Sequence, residues 1–111
     1  MSKSSISKNT VISRRLRQAR QARNLPQDRL GVMAGLEESS SSARMSRYES
    51  GIHEPTFQFI EAISKVLGIS TAFFYCADDR LAEIIQIYSD LSEAKREALL
   101  QQINDISIWK P

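Results

Sequence analysis

Two groups of side chains in this 111-residue chain could do chemistry, and they are cationic or hydroxylic. Arginines crowd the N-terminal quarter (Arg14, Arg15, Arg17, Arg20, Arg23, Arg29), and a serine-arginine run, ESSSSARMSRYES, fills residues 38–50. Guanidinium groups converging on one face neutralise phosphates, the main source of affinity for a nucleic-acid duplex. Base reading needs short or bidentate side chains at the leading end of a helix narrow enough to enter the major groove. Ser41, Ser42, Ala43, Ser46 and Arg47 meet that requirement. Arg47, one turn further on, can make a bidentate pair with guanine, and Arg44 is either a second reader or a phosphate clamp. Arg14, Arg15 and Arg17 are phosphate contacts or solvated surface.

Nothing comparable supports catalysis. His53 is the single histidine, with no cysteine at metal-ligand spacing, and Cys76 is the single cysteine, read as a buried or partly buried thiol. No nucleophile–base pair, P-loop or glycine-rich phosphate motif occurs. The expectation is a chain that is not an enzyme and has no metal site and no cofactor.

The net charge of +2 hides an asymmetry. Residues 1–55 carry ten bases against five acids, a net of +5, whereas residues 56–111 are net −3. A basic working surface is therefore expected in the first half and a different task in the second. The length fits one domain, or a small domain plus an appendage. Four glycines and three prolines argue against a many-turned β-sandwich, and 41% apolar residues suit a soluble globular chain. A lone cysteine, no signal-like apolar stretch at the start and no run near the ~18 residues of a spanning helix lead to the expectation of a cytoplasmic protein without a membrane partner.

The elements that must position these side chains read as helices throughout. Residues 1–9 are polar and serine-rich without periodicity, an expected flexible arm. Thr10 caps a first helix that ends at Asn24-Leu25-Pro26, since a residue before proline leaves the α region. A second helix runs from Gln27 to Ala34, and Gly35-Leu36 turns the chain. Residues 37–42 read as loop. A third helix covers Ala43 to Ser50 and closes at Gly51. Thr56 caps a fourth, ended by Gly68, and Ser70 leads into a short fifth holding Phe73, Phe74 and Tyr75. Met33, Met45, Phe57, Phe59 and the 73–75 aromatics read as core. Helices over 79–89 and 93–107 follow, the latter capped by Ser92.

Several motifs stand in order along this pattern: ISRRLRQARQARNLPQDRLGVMAGL, then RMSRYESGIHEP, then FIEAISKVLGIS. Together they resemble the phage-repressor and Cro type of helix-turn-helix, the XRE family, over about residues 11–75. The resemblance implies an all-α fold, a five-helix lambda-repressor-like DNA-binding domain, here followed by two C-terminal helices. It implies double-stranded DNA as partner and base contacts at Ser42, Ala43, Ser46 and Arg47, with Arg44 beside them. Phosphate contacts would come from Gln27, at the start of the second helix, with Arg14, Arg15, Arg17 and Ser41. It also pairs Arg20 with Glu49, an ion pair that would orient the recognition helix. One departure stands out. Nine residues separate Gly35 from Met45, where the family usually has about five, so the turn before the recognition helix is expected to be lengthened.

Leu81, Ile84, Ile85 and Tyr88 form one apolar stripe, and Leu99, Ile103 and Ile106 a second, with Trp109 just beyond. Such stripes must bury against something. Regulators of the resembled type commonly bind two-fold sites as dimers, so these eight residues are the expected homodimer interface; an intramolecular cap is the other use open to them. The expected organisation is an arm over 1–9, a helix-turn-helix domain over 10–77 and a C-terminal helical dimerisation segment over 78–111. The expected function is a sequence-specific transcriptional regulator, a repressor occupying a two-fold operator. The alternative is an antitoxin-like module that neutralises a protein partner and autoregulates its operon.

Overall fold

The computed structural model describes residues 10–107; the expected arm, residues 1–9, and Trp109 lie outside the described residues. Six α-helices follow in order, α1 Val11–Ala22, α2 Gln27–Met33, α3 Glu38–Ser50, α4 Phe57–Leu67, α5 Asp79–Asp90 and α6 Glu93–Ile106, with a 3₁₀ segment at Thr71–Tyr75 between α4 and α5. No strand occurs among the described residues. The short fifth helix expected at the aromatics is thus a 3₁₀ turn. Its five residues, bounded by the Ser70 cap and extended Cys76, leave no room for more than the tighter winding.

Local chemistry explains most boundaries. Thr10, Thr56 and Ser92 each accept a hydrogen bond from the backbone N–H three residues on (Ser13, Phe59 and Lys95), and Asp78 caps α5. Gly51 stops α3 with φ +82°, a conformation that costs a side-chain-bearing residue energy.

Helix α3 corrects the sequence reading. The serine tract is helix, not loop, and α3 begins five residues before Ala43. Glu37 and Glu38 lie where acidic groups complement the helix dipole. The Ser41 hydroxyl donates to the Asp28 carbonyl of α2 at 2.7 Å, fully buried. Opposite it stands Gly31, where an added Cβ would run into Ser41 Oγ and the Met45 side chain. A glycine on α2 and a small hydroxyl on α3 therefore let the two backbones meet.

The core is built from Leu16 and Ala19 of α1, Leu30 of α2, Met45 of α3 and Ile60 and Ile63 of α4, closed by Phe73 and Phe74 in edge-to-face contact at 5.3 Å. Met33, Phe57 and Tyr75, expected in that core, are about half exposed. Helix α4 already fills the interior with Ile60, Ile63 and Leu67; Phe57 sits in its first turn and packs on Tyr75 at 6.1 Å instead. Helix α5 sets Ala82 and Ile85 against the core, whereas α6 buries no residue. Among the described residues no helix is long and apolar enough to cross a membrane.

Candidate nucleic-acid interface

The two sides of α3 differ in chemistry. Ser41, Met45, Tyr48 and Glu49 face inward and are buried, while Ser42, Ala43, Arg44, Ser46 and Arg47 are all exposed. The inward set recurs every three or four residues, the spacing of one helical face. Arg44 leans back along its helix, donating to Tyr48 Oη at 2.9 Å with its guanidinium over that ring. The Arg47 guanidinium has no partner among the described residues. Glu38 and Ser39, in the first turn of α3, are exposed as well. Their helical state was missed because a serine run reads as loop; the two acids before it are the signal of a helix start.

A buried node holds α3 in place. Glu49 is 3% exposed, and Arg20 of α1 grips it with Nε–Oε2 at 2.6 Å and Nη2–Oε1 at 3.0 Å. Gln27 donates its side-chain amide to Oε1 at 3.1 Å, and Arg17 donates to the Glu49 carbonyl at 2.9 Å. Arg20 also reaches the Leu25 carbonyl at 2.7 Å. One carboxylate thus ties α1, α2 and α3 into a single orientation through charge-assisted bonds. Two residues beyond Gln27, Arg29 is exposed and has no partner among the described residues. Its place in the first turn of α2, beside the expected phosphate contact at Gln27, was the signal for it.

Two expected phosphate contacts lie elsewhere. Arg15 is 2% exposed, its guanidinium bonded to the Cys76 carbonyl at 2.8 Å, to Asp79 Oδ1 at 2.8 Å and to Gln18 at 2.9 Å, so it cannot reach a duplex. Ser41 is likewise buried on α2. Arg14 remains partly exposed but pairs with the same Asp79 oxygen at 2.9 Å. Hydrogen bonds from Arg15, then Arg14, hold the Asp79 carboxyl below its ordinary range. Part of the N-terminal charge excess is therefore cancelled within the molecule, by an acid from the second half.

The C-terminal helices present the opposite chemistry. Leu81, Ile84, Tyr88, Ile103 and Ile106 are exposed and Leu99 half-buried, whereas Ile85 turns partly into its own core. Ile87 and Leu100 add exposed apolar surface outside the expected set. A groove of about 240 Å³ runs between α5 and α6, lined by Ile84, Ile85, Tyr88, Leu99, Leu100 and Ile103. No cluster of His, Cys, Asp and Glu that could hold a metal exists among the described residues.

Known proteins share the family and the fold. The helix-turn-helix family matches residues 16–74. The crystal structure of the transcriptional regulator BswR is similar to the chain, with 35% sequence identity and a TM-score of 0.80 over 85% of this chain and 93% of that one. A comparison with curated proteins gives no match.

Proposed function

The chain belongs to the XRE/Cro-type helix-turn-helix family of DNA-binding transcriptional regulators, and from that premise we propose that it is a repressor that occupies two-fold operators as a homodimer. The observation that carries this reading is the outward side of α3, small side chains around an Arg47 with no partner among the described residues, held by a buried three-helix node. Ser42, Ala43, Ser46 and Arg47 read base edges, with Arg44 beside them and Glu38 and Ser39 at the leading end of the helix. Arg29, exposed in the first turn of α2, would meet the backbone phosphates, with Gln27 and Arg17 beside it while also bonded to Glu49.

Pairing two copies through α5 and α6 covers Leu81, Ile84, Tyr88, Leu99, Ile103 and Ile106 and sets two α3 helices side by side. Half-sites then lie about one DNA turn, roughly 34–36 Å, apart. Residues 10–77 would form the reading unit and 78–111 the pairing unit.

Selection from a random duplex pool, followed by titration at several salt concentrations, tests the proposal. The expected result is a two-fold motif bound with an affinity that falls steeply as salt rises. Absence of any enriched motif, or affinity indifferent to salt, overturns it. The exposed apolar stripes also fit the antitoxin-like alternative; a chain that is monomeric alone and forms a stable complex with a second protein would favour that reading.

A further inference from the structure

Helix α5 links the reading unit to the apolar tail, and charge fixes it along α1 at both ends. At its start, Arg15 donates to the Cys76 carbonyl and to Asp79, and Arg14 donates to the same Asp79 oxygen. The Arg15 guanidinium also lies 5.6 Å from the Phe73 ring centroid. At its end, Arg23 donates through Nε to the Leu67 carbonyl at 3.2 Å and through Nη2 to Asp90 at 3.2 Å. Between the two, Ala82 and Ile85 touch the core, and the Ser89 hydroxyl accepts from the Ser70 backbone N–H at 3.3 Å.

An apolar stripe alone lets a helix roll or slide, because burial is not directional. Arg15 and Arg23 each bond a carboxylate of α5 through one N–H and a backbone carbonyl outside it through another, so directional contacts at both ends oppose a change of tilt. Over the roughly 18 Å of a 12-residue helix, a tilt of about 10° moves the far end by about 3 Å, nearly the rise of one base pair.

We propose that this double clamp sets the spacing between the two half-sites the protein accepts, with Arg15, Arg23, Asp79 and Asp90 as positioning residues for operator geometry. The proposal rests on the homodimeric reading above. The clamp touches no base; it acts by fixing the angle at which each reading unit leaves the paired tails.

The test is selection from a random duplex pool with the full chain, comparing wild type with the Asp79→Ala/Asp90→Ala variant. Both carboxylates are largely exposed, at 79% and 60% of the side chain, and Arg15 keeps its carbonyl acceptors. Wild type is expected to retrieve paired half-sites at one spacing. The variant is expected to retrieve the same half-site at two or more spacings, with affinity for the wild-type spacing about tenfold lower and single half-site affinity unchanged within twofold. Retention of the single wild-type spacing at unchanged affinity overturns the proposal. If the double variant does not fold, Asp90→Ala alone, which leaves the Arg15 end intact, carries the same comparison. Wild-type enrichment of unpaired half-sites would instead overturn the homodimeric reading, and this inference with it.

Discussion

Helices α3 and α6 are nearly equal in length, 13 and 14 residues, and opposite in their dealings with the rest of the chain. Helix α3 buries Ser41, Met45, Tyr48 and Glu49 and shows small polar groups to the outside; α6 buries nothing and shows Leu100, Ile103 and Ile106. The first is completed by its own molecule and exposes what a polyanion can use. The second exposes what water disfavours. Position is thus set within the molecule for α3, whereas α6 leaves an apolar face uncovered, which the proposed pairing would bury.

Three substitutions press on that contrast. The largest effect is expected from Glu49→Ala, which leaves the Arg20 guanidinium in a mostly buried site without its carboxylate. Loss of one member of such a pair costs about 3–5 kcal/mol, to be read as a lowered denaturation midpoint accompanied by loss of DNA binding. Ile103→Glu on α6 should leave the denaturation midpoint of dilute protein almost unchanged. It should weaken self-association by roughly 100-fold, close to 3 kcal/mol, in sedimentation equilibrium; an equally large fall in the stability of the monomer would show instead that α6 belongs to its own core. The smallest effect is expected from Arg47→Ala, with the fold unchanged and about 1–3 kcal/mol lost on the selected site. If the same loss occurs on random DNA, Arg47 holds phosphate rather than a base.

What could be read beforehand follows the range of the interactions. Thr10, Thr56 and Ser92 cap their helices through bonds three residues long, and Gly51 ends α3 through its own backbone, so these boundaries were written locally. The start of α3 was not. A run of serines suits a loop and the first turn of a helix equally well, and the choice is made by the Ser41–Asp28 bond and by Gly31 across the interface. Arg15 was misjudged for the same reason. Its acceptors at Cys76 and Asp79 stand 61 and 64 residues away, and no spacing rule connects them. Family resemblance, by contrast, anticipated the meeting of Arg20 and Glu49 across 29 residues.

The extended start of α3 has a consequence for how such a protein tolerates change. Each residue added to a helix turns everything upstream by about 100°, so four of them come to about 400°, little more than a full revolution. Counted back from Met45, Ser41 therefore still points at α2. One or two residues added between Ser41 and Met45 would have swung Ser41 away from Asp28 and Gly31. Growth by whole revolutions lets a reading helix lengthen while its seat stays the same.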